Sequence, residues 1–483
     1  MSSSWPPLLL LEAELTTVDG SLVSHPDDIN LLFRRAGILA GLGQLPEAQA
    51  AYLKVLSLAP AHFGALNDLG ALLVSMGHVA AAQVAFEEAV KRHPENPKGH
   101  VNLANILFQK GDSAAALEHF RAALQNDSEY KPAHQGMAYA LMELGDESGA
   151  RMHKAKGFER NHTLTVPYRG SGVPIPIVML ASCMGGMIPL RPHLDDRIFH
   201  TTVVYVEFYD PQTPLPLHRL ILNAVGDADL CRADCDAAAV LLRQTSMPVI
   251  NAPEAVRSTG RMNNAKRFAS IPGVIAPKIL TLPRKEITVA TLAKNGFTFP
   301  LLLRAPGFNT GYHFERVDNP EALQAALMQL PGDELLVIEY LDARGADGKV
   351  RKYRVMIIDG KLYPLHVAIS PHWKVHYFSA DMKDNPEHRA EEDYFLNHME
   401  EVVGKRAMVA LAAICDELAL DYGGIDFGLS RNGDVLFFEA NATMAVYQPP
   451  PDAIWDYRRK PTQHIFDAVR TMLIGRASGV TKN

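Results

Sequence analysis

Small and apolar residues recur every 34 positions along the first third of the chain. A glycine leads each repeat, followed by an alanine, an aromatic residue and a proline: Gly43, Gly77, Gly111 and Gly145; Ala48, Ala82, Ala116 and Ala150; Tyr52, Phe86 and Phe120; Pro60 and Pro94. A glycine lets the chain turn between two helices, and an alanine lets two helices cross closely. The pattern therefore predicts four helix pairs stacked into a curved solenoid.

This repeat resembles the tetratricopeptide repeat (TPR) over about residues 29–160, with a capping helix near 6–22. The first helix of each pair is expected to line the inner groove of the solenoid. The resemblance implies a peptide or protein partner at that groove, and the alternative is that its polar side chains are merely solvated. Residues expected there include Asn67, Asn105, Gln109 and Tyr139.

Three prolines and two glycines within Val166–Pro176 predict a linker to a different architecture. The apolar runs Ile177–Ala181, Thr202–Phe208 and Leu220–Val225 are typical of strands in a layered α/β sheet. The loop Ser182–Gly186 after the first run lacks dinucleotide-binding spacing, and we expect a structural turn there.

Two later runs predict the borders of a nucleotide site. Phe299–Arg304 ends in a cation and is followed by a flap, Ala305–His313, whereas Leu335–Leu341 follows a helix around Glu321–Gln329. A cation at a strand end can hold phosphates, and the backbone at a second strand end can bind adenine. Together these parts suit a nucleotide held between two sheets.

The dipeptide Asn432-Gly433 between two β-like runs predicts a two-residue hairpin turn. With that turn Arg431 opposes Asp434, and Asp426 faces Glu439. Two opposed carboxylates repel, so a positive charge is expected between them.

Strand alternation predicts one apolar and one polar face for this hairpin. Asn441 shares the polar face with the two carboxylates, and an all-oxygen donor set suits Mg²⁺. The alternative is a solvated acidic hairpin. The apolar face comprises Ile425, Phe427, Leu429, Leu436, Phe438 and Ala440; the other face comprises Asp426, Gly428, Ser430, Val435, Phe437, Glu439 and Asn441.

These segments together resemble the ATP-grasp superfamily over about residues 175–475, and its peptide and amino-acid ligases in particular. The resemblance is carried by Phe299–Arg304, Ile338–Leu341, Tyr353–Val355 before Asp359–Lys361, and Gly424–Asp426 with Phe438–Asn441. It implies ATP and two Mg²⁺ ions, with the metal held by Asp426, Glu439 and Asn441. It also implies that Glu339, Tyr340 and Leu341 flank adenine and that Asp342 contacts the ribose.

Further cations and histidines complete the expected site. Arg304 stands where the family usually has lysine, and either Arg261 or Lys266 is the upstream nucleotide contact. Arg304, Arg354 and either Arg261 or Lys266 would offset charge during phosphoryl transfer. His366, His372 and Lys374 are candidates for contacting the activated carboxylate or the acceptor, and the alternative is a surface crossover with satisfied histidines.

Downstream, the charge-rich segment Asp381–Asp393 is expected to be a solvated or mobile loop, and Glu391–Leu420 a helix packed on the sheet with Cys415 inside. The expected domains are a TPR solenoid over 1–165, a linker over 166–176 and a Rossmann-like subdomain over 177–255. A central ATP-grasp subdomain over 256–345 and a C-terminal one over 346–475 follow.

The predicted function is an ATP- and Mg²⁺-dependent ligase that activates a carboxylate as an acyl phosphate. Two alternatives are a small-molecule kinase on the same fold and a TPR scaffold with an inactive nucleotide domain. Analysis of the products would distinguish a kinase from a ligase, and absence of Mg-ATP binding would favour the scaffold.

Composition narrows the class of protein further. A chain of 483 residues with 47% hydrophobic and 21% charged residues is long enough for several cores and argues against wholesale disorder. A net charge of 47 − 54 = −7 gives no reason to expect nucleic acid or an anionic membrane as partner. Four scattered cysteines favour a reducing, cytoplasmic compartment, and Cys231 and Cys235 are expected to be ordinary thiols.

Overall fold

The computed structural model describes residues 8–159, 162–183, 186–306, 313–375, 377, 380–450 and 452–479, apart from the side chain of Glu147. The chain forms two compact units. The first contains residues 1–178 and 195–216, and the second contains residues 179–194 and 217–483.

The first unit begins with a single helix and four helix pairs, as the 34-residue period predicts. Each pair turns at a glycine in the left-handed region, where Gly43, Gly77, Gly111 and Gly145 have φ of 76°, 81°, 86° and 82°. A backbone conformation of this kind ends a helix at little cost only when the residue is glycine. The helices are α1 (Leu8–Ser24), α2 (Ile29–Gly41), α3 (Leu45–Leu58), α4 (Phe63–Ser75), α5 (Val79–Arg92), α6 (Pro97–Gln109), α7 (Ser113–Asn126), α8 (Lys131–Glu143) and α9 (Glu147–Phe158).

The repeated alanines and aromatic residues form the interior of this unit. Phe120 lies so close to Gly136 of the following pair that a Cβ atom there would come within 2.1 Å of the ring. The groove assignment of Asn67 is wrong: its side chain is buried and accepts a 2.6 Å hydrogen bond from Asn102 on the neighbouring first helix. Asn105 and Gln109 are exposed, as expected for a groove surface.

Two histidine pairs occupy one repeated position of the helical interior. Within the pair α6 and α7, Nδ1 of His100 lies 3.2 Å from Nδ1 of His119; within α8 and α9, the same atoms of His134 and His153 lie 2.7 Å apart. Nε2 of His100 bonds the Pro94 carbonyl, and because a carbonyl only accepts, this nitrogen carries the proton. In the first two pairs the equivalent positions hold Leu32 with Ala51 and Leu66 with Ala85, all buried.

The first unit ends in a short antiparallel strand pair. Strand β1 (Thr163–Thr165) pairs with β3 (Phe199–Tyr205), so that Thr163 lies opposite Val204. Phe158 at the end of α9 packs against Tyr205, with ring centroids 4.6 Å apart, and this contact joins the helices to the strands. Strand β2 (Ile175–Ala181) begins in this unit and ends in the second.

The second unit opens with two parallel strands and short helices. Strands β4 (Leu220–Asn223) and β5 (Val249–Ile250) are parallel; in sequence a helix follows β4, and β5 lies between two helices. The helices of this segment are α10 (Arg232–Leu242), α11 (Pro253–Arg257) and α12 (Arg261–Phe268). Cys231 and Cys235 are buried at the start of α10, and burial raises the pKa of both thiols to about 12, so they behave as core residues.

A four-stranded antiparallel sheet follows, in the order β7-β10-β8-β9. Its apolar face packs against two helices and forms a core that includes Leu303, Val337 and Leu327. The helix predicted around Glu321–Gln329 is confirmed. The elements are β7 (Ile279–Pro283), α13 (Val289–Lys294), β8 (Leu301–Arg304), β9 (Phe314–Val317), α14 (Leu323–Gln329) and β10 (Glu334–Glu339).

A five-stranded sheet carries the C-terminal hairpin, in the order β12-β11-β13-β14-β6. All neighbours are antiparallel except β14 and β6, which are parallel. The strands are β6 (Val274–Ile275), β11 (Val350–Ile358), β12 (Lys361–Ser370), β13 (Tyr422–Leu429) and β14 (Val435–Asn441).

The segment Asp381–Asp393 does not form the predicted loop throughout. Helix α15 (Pro386–Asn397) starts within it, capped by the Asn385 side chain, and the side chain of Glu392 is fully buried. Charge density alone misled this prediction, because a helix can turn one charged residue inward while the others remain solvated. The helices after it are α16 (Met399–Leu418), which buries Cys415 as expected, and α17 (Arg459–Ala477).

The histidine pairs predict that acid loosens only the last two helix pairs. Burial and the facing histidine lower the pKa of His119 and of His153 below the ordinary value, so the unfolded chain binds more protons than the folded one below about pH 6.5. The stabilisation that comes from keeping these histidines neutral is therefore present at neutral pH and lost on acidification. Amide protection in α6–α9 should fall between pH 7.5 and 5.5, by up to about tenfold per unit of pKa difference, while α2–α5 keep their protection.

The matched variant replaces the third pair with the residues of the second, His100→Leu with His119→Ala. It should remove the acid effect from α6 and α7 only. Hydrogen exchange corrected for intrinsic rates measures both results, and an equal loss of protection in α2–α5 would show that the histidine pairs are not its cause.

Candidate functional site

A row of four polar side chains crosses the five-stranded sheet. The register places Arg354 on β11 opposite His366 on β12 and also opposite Asp426 on β13, which in turn lies opposite Glu439 on β14. Because residues paired across antiparallel strands point to the same face, the four side chains share one side of the sheet. Three cations expected from sequence, Arg261, Arg304 and Arg354, lie at this row or are coupled to it electrostatically.

Asp426 is the most enclosed charge of the row, with a relative exposure of 2%. Arg354 grips it with two hydrogen bonds, Nε to Oδ1 at 2.5 Å and a terminal nitrogen to Oδ2 at 2.7 Å. Lys352 adds an ion pair at 3.0 Å. Burial opposes ionisation of Asp426, but these two cations outweigh it and hold the pKa of the carboxyl well below its usual range.

Glu439 is held from the other side. Arg261, at the start of α12, donates to its Oε1, and the Asn441 amide donates to the same oxygen at 3.0 Å. Burial and the neighbouring Asp426 raise the pKa of this carboxyl, while Arg261 and Arg304 lower it more strongly, so the net direction is downward. Both carboxylates of the hairpin are therefore ionised at neutral pH.

Arg304, at the end of β8, brings a further positive charge to this region. Burial and the positive charge of Arg261 lower the pKa of Arg304 to about 10, at which the group is still cationic at neutral pH. Asp227 and Asp229, in the loop after β4, act in the opposite direction. Two arginines that repel each other favour a multivalent anion between them.

The hairpin turn differs from the predicted one, although the predicted carboxylate pair is confirmed. Ser430, not Arg431, opposes Asp434: its backbone N–H donates to the Asp434 carbonyl at 2.9 Å, and Gly433 has φ of 76°. The turn thus has one residue more than predicted. A bulge between Asp426 and Phe427 shifts the register back by one residue, so Asp426 still faces Glu439.

The same bulge overturns part of the predicted face assignment. Phe427 pairs with Phe437, not with Phe438, so Phe437 belongs to the apolar side, where its ring meets Phe268 edge-on at 4.9 Å. Leu436 instead pairs with Gly428 and packs in a separate apolar cluster with Val350. Alternation was correct near the carboxylates but failed beyond the bulge, because an extra residue reverses which side each following side chain faces.

His366 is a buried member of the row, and its Nδ1 has no hydrogen-bond partner within the described part of the chain. Burial and the Arg354 charge lower the pKa of the imidazole well below its ordinary value. His366 is therefore neutral at physiological pH. An unpaired nitrogen on a neutral ring could form a hydrogen bond with a ligand, as acceptor or donor according to the tautomer.

The residues expected around adenine lie at the end of β10. The Glu339 carboxylate accepts from the backbone N–H of Lys278 at 3.0 Å, Tyr340 lies under the Arg316 guanidinium at 4.5 Å, and Leu341 packs in an apolar cluster. Asp342 forms an exposed ion pair with Arg344. Their nucleotide roles remain predictions.

The remaining candidates differ in their exposure and in their contacts. Lys266 is exposed on α12, whereas Arg261 of the same helix contacts Glu439, which favours Arg261 of the two alternatives. Lys374 is exposed and donates to the Phe314 carbonyl at 3.1 Å, next to the ring that Arg304 covers at 5.3 Å. His372 is exposed as well. The predicted flap lies mostly outside the described residues, which omit 307–312, and the Ser182–Gly186 turn does so at 184 and 185.

The donor chemistry of the hairpin suits Mg²⁺ shared with phosphate groups. Mg²⁺ is commonly held by one or two carboxylates together with substrate phosphates, and Asp426 and Glu439 supply two ionised carboxylates. Within the described part of the chain, no group of three or more His, Cys, Asp or Glu could hold a metal ion. Asn441 accepts from the backbone and hydroxyl of Thr443, both at 2.9 Å, so its oxygen is already engaged.

Sequence reasoning missed Lys352 and the buried carboxylate Glu392. Lys352 lies two residues before Arg354 on the same strand, so a period of two would have placed it on the same face. No comparable sequence signal marks Glu392.

Comparison with known proteins identifies repeats in the first unit. Residues 29–62 and 67–131 match sequence profiles described as tetratricopeptide repeat. A comparison with curated proteins finds no match.

Solved structures that resemble this chain include residues 41 to the end of MamA from Desulfovibrio magneticus RS-1, at 24% identity over 31% of this chain and 84% of that one, with a TM-score of 0.28. Another is YrrB, described as a TPR protein with an unusual peptide-binding site, at 18% identity over 32% of this chain and 79% of that one, with a TM-score of 0.28.

None of the helices in the described ranges has both the length and the apolar character that a membrane span requires.

Neutralising Asp426 should destabilise the second unit strongly. Asp426→Asn keeps the size of the side chain but leaves Arg354 and Lys352 as poorly compensated charges, and breaking a buried ion pair in this way costs about 3–5 kcal/mol. Glu417→Gln, which removes the partially exposed pair with Arg267, is the matched control and should cost about 0–1 kcal/mol. Urea unfolding followed by circular dichroism measures both variants, and similar losses in the two would contradict a special role for the enclosed cluster.

Proposed function

We propose that this protein is an ATP-dependent ligase of the ATP-grasp type, which activates a carboxylate as an acyl phosphate and transfers the acyl group to an amine or another nucleophile. The observation that carries the proposal is the row of polar side chains on the five-stranded sheet. Two ionised carboxylates lie there beside Lys352, Arg261 and Arg354, and Arg304 is close enough to lower the pKa of Glu439. Cations of this number suit a polyphosphate, and the carboxylates suit its metal counter-ion.

The reaction would proceed in two steps. A carboxylate oxygen of the substrate attacks the γ-phosphorus of ATP, a new O–P bond forms, and the bond to the bridging oxygen breaks to release ADP. The nucleophile then attacks the acyl carbon through its lone pair, loses a proton, and displaces inorganic phosphate. Bound Mg²⁺ would supply charge neutralisation on the phosphates.

The residues of this chain have separable roles in that scheme. Arg304 and Arg261 would bind phosphate oxygens, since both are cationic and electrostatically coupled. Arg354, held in place by Asp426, would face charge that develops on the transferred group. His366, buried and neutral, would accept a hydrogen bond from the nucleophile. Lys374 would lie at the outer edge, through its contact with the Phe314 carbonyl.

The N-terminal repeats support a second role, the recruitment of a peptide or protein. Tetratricopeptide repeats lie within residues 29–131, and the exposed Asn105 and Gln109 occupy a first helix, where a groove is expected. Asparagine and glutamine side chains can bond the backbone of an extended peptide. In a ligase that acts on a recruited peptide, the repeats would bind the peptide and the second unit would carry out the reaction.

The decisive variant is Glu439→Gln. Its loss of charge removes one of the two carboxylates and leaves Arg261 uncompensated, so ADP release should fall at least about a hundredfold, equivalent to about 2.7 kcal/mol. Glu334→Gln, an exposed carboxylate at the start of β10, is the matched control and should behave like the natural protein.

The measurement is ADP release with a panel of carboxylates, with hydroxylamine added to trap acyl phosphate as a hydroxamate. A stable phosphoester in place of free phosphate and an adduct would indicate a kinase. Absence of Mg-ATP binding by the natural protein, measured by calorimetry, would indicate a scaffold and refute the ligase proposal.

A further inference from the structure

Glu392 is a fully buried carboxylate outside the row of polar side chains. It lies on α15, where its neighbours Glu391 and Asp393 are partly exposed. A buried carboxylate is costly unless it is paired and hydrogen-bonded. The reason for enclosing this one is therefore to be found in its contacts.

Three side chains surround the Glu392 carboxylate, and they satisfy it only in part. The hydroxyls of Tyr377 and Tyr457 both donate to Oε2, the first at 3.2 Å. Nε of Arg458 lies 3.6 Å from Oε1, too far for a hydrogen bond, and neither atom has a hydrogen-bond partner among the described residues. Burial raises the pKa of the Glu392 carboxyl to about 7, against the opposing effects of Arg458, the two tyrosine hydroxyls and the backbone of Val367.

These contacts extend from Glu392 to the row. The Arg458 guanidinium covers the Tyr377 ring at 4.4 Å, and that ring packs against His366 with centroids 4.7 Å apart. His366 is the cross-strand neighbour of Arg354. Glu392 is thus linked to Arg354 through the Tyr377 ring and the buried, neutral His366 ring.

We propose that Glu392 is a positioning residue: with Tyr377 and Arg458 it holds the His366 ring against Arg354, and so orients the guanidinium that the proposed ligase reaction uses. The charge on Glu392 balances Arg458 over the Tyr377 ring. When that charge is lost, the buried guanidinium has no counter-ion, and Arg458 and the rings beneath it must move. The catalytic role of Arg354 rests on the proposed function, but its orientation by Glu392 does not.

The test observes Arg354 directly, in the full-length chain. The Nε–H resonance of Arg354, assigned by its absence in Arg354→Lys, should shift in Glu392→Gln. Glu391→Gln is the matched control, because Glu391 is next in sequence and pairs with Arg351 on the same strand as Arg354, but at a position that faces the other side of the sheet. It should leave the resonance in place.

The unsubstituted protein provides a second measurement. Its Arg354 resonance should follow pH with a midpoint near 7, as Glu392 gains or loses its proton, and Tyr457→Phe, which removes one hydrogen bond, should displace that midpoint upward. An Arg354 signal that is unchanged in Glu392→Gln, or that moves equally in Glu391→Gln, overturns the proposal. If Glu392→Gln does not fold, a pH-independent Arg354 resonance in the natural protein overturns it.

Activity gives a separate readout. With Mg-ATP and an accepted carboxylate, Glu392→Gln should release ADP about tenfold more slowly at pH 8 and lose the inflection near pH 7. If the natural protein releases no ADP while the resonance behaves as expected, the proposed function fails and the positioning role stands.

Discussion

The enclosed ion cluster of Asp426 with Arg354 and Lys352 is the interaction on which the second unit depends. It lies on two adjacent strands of the five-stranded sheet, β11 and β13, where a carboxylate without counter-charge would not be tolerated. His366, the cross-strand partner of Arg354, stays neutral because burial lowers its pKa and the Arg354 charge lowers it further. The protonation state of the row thus follows from burial and from the cations that the strand register and α12 place beside it.

The buried charges of this unit fall into two groups that differ in how closely they are paired. Arg354, Asp426 and Glu439 of the row are ionised groups with close partners, whereas Glu392 and Arg458 outside it are only loosely paired. The tight pairs resist a change of protonation, because both carboxylates have lowered pKa values. The loose pair is the one whose charge can change near neutral pH.

The helical repeats follow a different physical principle. Each pair buries alanines and an aromatic residue against its neighbour, so stability accumulates from one pair to the next. Two pairs contain leucine and alanine where the other two contain facing histidines. The repeat period alone defines the helices, while this single pair of positions distinguishes one half of the solenoid from the other.

The sequence by itself determined the elements and part of the site. The 34-residue glycine period predicted the helix pairs, because a left-handed turn residue is a local requirement that glycine meets. The opposition of Asp426 and Glu439 was also predicted, but for a partly wrong reason. The turn has one residue more than predicted, and the bulge shifts the register back by one residue, so the two differences cancel. Only the tertiary structure decided that Asn67 is buried, that Phe437 faces the core, and that Glu392 lies beneath the site. Those outcomes depend on packing between segments distant in the chain, which neither local periodicity nor residue type encodes.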